Sequence, residues 1–78
     1  MPPTQPTGCR VRIKPAVGQA VLADFRADVD ADDTVSCLAL LRRTVNAQSF
    51  SLGRGKAITG YRLEAYDQRK GSWITHVP

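Results

Sequence analysis

The strongest constraint on the fold is a pair of stretches in which apolar residues occupy every second position. In residues 9–14 the odd-numbered positions are apolar and the even-numbered positions are basic. In residues 21–29 the odd-numbered positions are again apolar, and three of the four residues between them are charged. A period of two is that of a β-strand with one buried side and one side facing solvent. Because Pro15 and Gly18 supply turn residues between the stretches, the sequence predicts an antiparallel hairpin.

Residues 31–47 have apolar side chains at helical spacing, so we predict one amphipathic helix there. Asp30 is expected to cap its first turn, where Asp33 adds favourable negative charge. Leu40 falls well off the apolar stripe and is predicted to be exposed. The stripe expected to face the core consists of Val35, Leu38, Leu41 and Val45.

The remaining residues predict a loop and a second hairpin. We interpret residues 46–57 as the loop and residues 58–67 as a strand. A turn over residues 67–71, in which Gly71 can adopt a left-handed conformation, leads into a last strand over residues 72–77. In that strand we place the odd-numbered positions on the buried side: Trp73, Thr75 and Val77.

The predicted order of elements is β-β-α-β-β, an α+β fold with one helix packed on a small antiparallel sheet. A chain of 78 residues has room for one domain, which we assign to residues 9–78. Residues 1–8 hold three of the five prolines and are predicted to be a flexible tail. The expected core contains Val11, Ile13, Val21, Phe25, Val35, Leu38, Leu41, Val45, Leu63 and Trp73.

No residue set of a common enzyme or metal site is recognisable. Cys9 and Cys37 lack metal-ligand spacing and are predicted to be buried free thiols, and His76 is the only histidine. The acidic run 28–33 lacks the glycine and the bidentate glutamate of a calcium loop, and Gly-Arg-Gly-Lys at 53–56 lacks the Walker pattern. We therefore expect no enzyme activity, no metal and no cofactor.

No membrane span or signal peptide is predicted. No apolar run approaches the roughly 20 residues of a spanning helix, and the first residues lack the charged and apolar regions of a signal peptide. We expect a cytoplasmic protein with no membrane partner.

The side of the sheet away from the helix is the best candidate for a binding surface, because a single helix covers only one side. The net charge of +4 favours an anionic partner. The candidate binding residues are those predicted for this side, with two basic loop residues: Arg10, Arg12, Lys14, Leu22, Arg26, Arg54, Lys56, Arg62, Tyr66, Ile74 and His76.

Two classes of partner remain open. A protein partner is favoured because arginine and tyrosine are frequent in interface hot spots. A nucleic-acid partner is the alternative, through the arginine-lined side of the sheet and the basic loop at Arg54 and Lys56. Only Tyr66 is placed to stack on a base, and the acidic Asp24 and Glu64 share its side of the sheet. A homodimer is also considered, through an exposed edge strand or Leu40.

In architecture, residues 9–77 resemble the small phage-encoded anti-CRISPR proteins, several of which have one helix on an antiparallel sheet and no catalytic set. The resemblance lies in the order of elements, so no functional residue is carried over from it. It implies an inhibitor in a bacterial host that contacts a CRISPR effector complex and blocks its access to target DNA. The positive charge of this chain suits contact with acidic residues better than imitation of DNA.

Overall fold

The computed structural model describes residues 8–47 and 58–78. Four antiparallel strands form one sheet, in the order β2-β1-β3-β4, and a single helix packs on one side of it. The predicted α+β fold and its β-β-α-β-β order are confirmed. The elements are β1 Cys9–Pro15, β2 Ala23–Ala27, α1 Thr34–Ala47, a 3-10 turn Ile58–Gly60, β3 Tyr61–Asp67 and β4 Ser72–His76.

The predicted tail over residues 1–8 lies outside the described residues except for Gly8, and the predicted loop lies outside them over residues 48–57. Gly8 has a φ of +88°, and a Cβ there would lie 2.0 Å from the carbonyl oxygen of Ala27. Only glycine permits this close approach of the chain to the end of β2.

Within the described part of the chain, no helix has the length and apolar character to cross a membrane.

The central strand β1 organises the sheet, because it pairs with β2 on one side and with β3 on the other. Val11 lies opposite Phe25 and Ala65, and Ile13 lies opposite Ala23 and Leu63. Val11 and Ile13 are completely buried under the helix. The period of two predicted for β1 is therefore correct, and β3 follows it, with Leu63 also buried.

The helix begins later than predicted, and its cap is Asp33 rather than Asp30. The Asp33 carboxylate accepts a hydrogen bond from the backbone N–H of Ser36 at 3.1 Å and one from its hydroxyl at 2.8 Å. The Asp33 carbonyl oxygen accepts the first helical bond, from Cys37 N. A turn closed by the backbone bond from Asp33 N to Asp30 O precedes the helix. Residues 30–33 therefore form this turn. The bond from the Ser36 N–H to the Asp33 carboxylate is the one typical of an N-cap.

The side of α1 that faces the sheet is also rotated from the predicted one. The buried helix residues are Cys37, Leu41 and Thr44, whereas Val35 is 79% exposed. The Thr44 hydroxyl donates to Leu40 O at 2.8 Å, and this satisfied polar group allows Thr44 to lie at the core. Cys37 was predicted to be buried, but the stripe of large apolar residues did not reveal that Cys37 and Thr44, rather than Val35, face the sheet.

The helix residues beside this buried side pack against the core and stay partly accessible. They are Leu38, Leu40 and Val45, so the prediction that Leu40 is exposed is wrong. Because Leu40 packs on the core, it is a poor candidate for a dimer contact.

The last strand is inverted relative to the prediction. Ile74 packs against the core and His76 is buried, whereas Trp73 and Thr75 lie on the opposite side of the sheet. The turn decides this, because Asp67 pairs with Ser72 and the side of every later residue follows from that pairing.

The turn itself forms as predicted. Gly71 has a φ of +65°, in the left-handed region, and its N–H donates to Asp67 O. The Asp67 carboxylate accepts hydrogen bonds from the backbone N–H groups of Arg69 and Lys70 at 2.9 and 3.4 Å.

In total, three residues of the predicted core are placed differently. Val21 is half exposed and lies before β2. Val35 is exposed on the helix, and Trp73 is on the open side of the sheet. The start predicted for the third strand is also wrong, because Ile58–Gly60 forms the 3-10 turn.

We expect Leu41→Ala to lower the free energy of unfolding by about 2–5 kcal/mol, because the side chain is fully buried between α1 and the sheet. Val35→Ala serves as the matched control on the exposed side of the same helix and should change it by less than about 0.5 kcal/mol. Urea unfolding followed by circular dichroism measures both. Equal losses in the two variants would contradict the helix orientation described above.

Candidate binding face of the sheet

The side of the sheet away from α1, called the open face from here on, is rich in arginine. Alternation along each strand and the register between strands place five cations and two carboxylates on it. Its side chains are Arg10, Arg12, Lys14, Asp24, Arg26, Arg62, Glu64, Tyr66, Trp73 and Thr75.

Glu64 lies at the centre of the open face and is enclosed by three cations. Its Oε1 is 3.0 Å from Arg12 Nη2 and 3.0 Å from Lys14 Nζ, and its Oε2 is 3.6 Å from Arg62 Nε. The Glu64 side chain is only 11% exposed. Burial raises the pKa of Glu64, but the hydrogen bonds and charges of Lys14 and Arg12 outweigh burial and leave the pKa below its usual value.

Two of these cations also anchor the loop that follows β1. Lys14 Nζ donates to Gln19 Oε1 at 3.2 Å, and Arg62 Nη2 donates to the same oxygen at 3.3 Å. Arg62 Nη1 donates to the Pro15 carbonyl oxygen at 2.5 Å. Lys14 and Arg62 were both predicted as binding residues. Their charged groups are largely buried in these internal contacts, which hold the open face together, and their role in binding stays a prediction.

A group of stacked side chains, called the aromatic–arginine cluster, lies beside Glu64 and consists of Arg10, Arg12, Tyr66 and Trp73. The Arg12 guanidinium carbon is 3.7 Å from the centre of the Trp73 ring, and that of Arg10 is 5.8 Å from it. The Tyr66 and Trp73 rings are tilted by 60° with their centres 5.2 Å apart. These are the separations of favourable cation–π and tilted aromatic contacts.

A cavity of about 370 Å³ opens next to this cluster, at the end of the sheet where β1 begins. Arg10 at its rim is 56% exposed and forms an exposed ion pair with Asp24 at 3.0 Å. Arg26, also at the rim, is exposed and forms no ion pair with any residue in the described ranges. The cavity is lined by Cys9, Arg10, Arg26, Tyr66, Gln68 and Trp73.

Several predicted binding residues are not on the open face. Ile74 and His76 lie on the helix side, where His76 Nε2 donates to Ala31 O at 2.7 Å. Leu22 precedes β2 and packs against the core. The two basic loop residues, Arg54 and Lys56, lie outside the described residues.

Trp73 and Thr75 are the open-face residues that sequence reasoning placed on the buried side. The available signal was the turn between β3 and β4, because pairing of Asp67 with Ser72 places Trp73 opposite Tyr66. Asp67 and Gly71 both indicate that turn in the sequence, but its length has to be known before the pairing follows.

A second, wider groove of about 630 Å³ lies where β1, the end of β2 and the helix cap meet. Asp28, Asp30, Asp33 and Asp67 line it. Hydrogen bonds from Ser36 lower the pKa of Asp33. No group of three or more histidine, cysteine or acidic side chains in the described part of the chain is arranged to hold a metal ion.

Both thiols are buried and free, as predicted. Burial raises the pKa of Cys37 to about 11 and also raises that of Cys9. Cys37 Sγ donates to Asp30 O at 3.4 Å. A raised pKa keeps a thiol protonated near neutral pH, so neither cysteine is activated as a nucleophile.

Comparison of this chain with protein-family models, with curated protein sequences and with solved structures finds no match.

We expect Glu64→Gln to lower the free energy of unfolding at neutral pH by about 2 kcal/mol, because three cations lose a charged hydrogen-bond acceptor. The folded-state pKa of Glu64 lies below its unfolded value, so its contribution is present above the usual value of 4.5 and disappears as the pH falls through the folded-state pKa. The difference between wild type and variant should therefore shrink in acid.

Urea unfolding at neutral pH and well below pH 4.5 measures this difference. Asp24→Asn is the matched control, because its ion pair with Arg10 is exposed and should contribute less than about 1 kcal/mol. An equal deficit of Glu64→Gln at both pH values would show that the carboxylate charge is not the source of the stabilisation.

Proposed function

We propose that this chain is a small non-catalytic binding protein that docks its open face on a larger protein assembly. The observation that carries the proposal is the aromatic–arginine cluster, which presents two half-buried aromatic rings and two guanidinium groups on one side of the sheet. Tryptophan, tyrosine and arginine are the residues most enriched in the hot spots of protein interfaces.

The cluster is already ordered before any partner binds. Arg12 is held between the Glu64 carboxylate at 3.0 Å and the Trp73 ring at 3.7 Å. The Tyr66 ring packs against the Trp73 ring, with their centres 5.2 Å apart. Side chains fixed in advance lose little conformational entropy on association, so more of the contact energy appears as affinity.

The charge of the open face favours an acidic surface on the partner. Five cations accompany two carboxylates, and one of these carboxylates, Glu64, is enclosed by three of the cations. Arg10 and Arg26 remain exposed at the rim of the cavity. Exposed positive charge speeds the encounter with an acidic surface and disfavours basic ones.

The placement of the potential catalytic groups supports a non-catalytic role. The raised pKa values of Cys9 and Cys37 disfavour the reactive thiolate. His76 lies under the helix with its Nε2 bound to a backbone oxygen, on the other side of the sheet from the open face. Among the described residues, the two thiols and the imidazole therefore do not form a nucleophile–base pair on the open face.

The most specific form of the proposal is inhibition of a CRISPR effector complex in a bacterial host. It is supported by the β-β-α-β-β architecture and by an open face suited to acidic residues. In this form the chain contacts the protein subunits of the complex and thereby blocks access to target DNA.

We expect Arg10→Ala and Trp73→Ala each to weaken partner binding by about tenfold or more, as truncation of a hot spot does. Arg43→Ala is the matched control, because Arg43 carries the same charge but is exposed on the helix. The measurement is capture of partners by the immobilised protein from bacterial lysate treated with nuclease, followed by titration of the captured assembly.

Capture of CRISPR effector subunits that is lost in both open-face variants would support the specific form of the proposal. Equal loss in Arg43→Ala, or no loss in either open-face variant, would show that the partner binds elsewhere on the protein. Circular dichroism of each variant confirms that the fold is retained.

A second candidate function is binding of single-stranded nucleic acid. It is favoured by the position of Trp73, which places two aromatic rings on the open face where the sequence predicted one. Enclosure of Glu64 also removes much of the repulsion that this carboxylate would exert on phosphate. The protein partner is still preferred, because the Arg12 guanidinium already covers the Trp73 ring on which a base would stack.

Under this second candidate, the protein binds fluorescently labelled dT and U oligomers, and added salt weakens the binding steeply. Trp73→Ala should then weaken binding by about tenfold through loss of stacking. Arg26→Ala should reduce the slope of log affinity against log salt concentration by about one, which is the effect of losing one phosphate contact. Fluorescence anisotropy measures both. Absence of binding at low salt would eliminate this candidate.

A further inference from the structure

The exposed edge of β2 is self-complementary, and from it we infer that two copies of this chain pair through β2 into one continuous eight-stranded sheet. The strand order places β2 at one edge of the sheet, paired only with β1. An edge strand presents unpaired backbone donors and acceptors to any strand of matching pattern. The inference rests on β2 and does not depend on the partner of the aromatic–arginine cluster.

The charges of β2 match in one antiparallel register. A two-fold axis through Phe25 places Asp24 of each copy opposite Arg26 of the other copy, on the open face. The two-fold axis repeats this pair, so the interface would contain two Asp–Arg ion pairs. Arg26 is free to take part, since it forms no ion pair among the described residues of its own chain. Asp24 forms an exposed ion pair with Arg10 through Oδ2, so Arg26 of the other copy would join that pair at the same carboxylate.

The other side of β2 is apolar and only partly covered. Phe25 and its neighbours Ala23 and Ala27 are half-buried, because α1 makes its main contacts with β3 and β4. In the two-fold register, Phe25 meets its own copy and each Ala23 meets an Ala27. These cross-strand contacts bury aromatic surface that one copy leaves accessible.

The opposite edge of the sheet lacks this match. In the corresponding register about Ile74, Trp73 of β4 would lie opposite Thr75, and Ser72 opposite His76. No opposite charges meet in that arrangement. Edge strands that avoid pairing commonly use lysine, proline or a bulge, and β2 has no lysine or proline.

Pairing through β2 has a consequence for binding. A two-fold axis perpendicular to the sheet keeps the two open faces on the same side and both helices on the other. The dimer therefore presents two aromatic–arginine clusters on one surface, so a partner with repeated acidic sites could be bound bivalently.

Sedimentation equilibrium of the full chain, from low to high micromolar concentration, tests the inference. We expect wild type to form a dimer that weakens as salt is added. Arg26→Asp places two carboxylates opposite each other at both symmetric positions and should weaken the dimer by about tenfold or more. The double variant Asp24→Arg with Arg26→Asp reverses both charges and should restore dimerisation.

Thr75→Asp is the matched control, since it adds an acidic residue at the other edge of the sheet and should leave the dimer unchanged. Circular dichroism checks that every variant is folded. A wild-type protein that stays monomeric at high micromolar concentration would overturn the inference. So would a dimer that Arg26→Asp leaves intact, one that Thr75→Asp disrupts, or a double variant that fails to recover.

Discussion

The arrangement of the open face depends on the ion cluster around Glu64. Its carboxylate lies within 3.0 Å of groups on Arg12 and Lys14 of β1, and within 3.6 Å of Arg62 on its own strand. A carboxylate removed from water requires compensation of this kind, since an unpaired buried charge is strongly destabilising. The cluster therefore joins the two central strands on the side that the helix does not cover.

The same cluster determines which arginine is available for contact. Arg12 is directed over Trp73 because its guanidinium is held at Glu64, and Arg62 is held against the loop by Gln19 and the Pro15 carbonyl. Charge alone does not make a binding residue. A cation that neutralises a buried carboxylate is already occupied, whereas on the open face Arg26 has no ion pair among the described residues and Arg10 has only an exposed one, with Asp24.

A thin core explains why the helix packs as it does. A domain of this size buries a smaller share of its surface than a larger one, so few residues are completely buried between its helix and its sheet. Cys37 and Thr44 can lie among them, since both are small and both donate to backbone oxygens. The helix lies mainly over β3 and β4, and β2 is left with half-buried apolar residues.

Sequence alone determined the element order and which residues of β1, β2 and β3 face the helix. The alternation of apolar and polar residues that shows this is local in the sequence and does not depend on how the elements pack. It also indicated the Asp67–Gly71 turn and most of the open-face arginines. Tertiary structure alone decided the side of β4, where the pairing of Asp67 with Ser72 places Trp73 beside Tyr66. It likewise decided the buried side of the helix. The side of β4 depends on the exact length of a short turn, and the buried side of the helix depends on contacts with strands far away in the chain; a single sequence states neither.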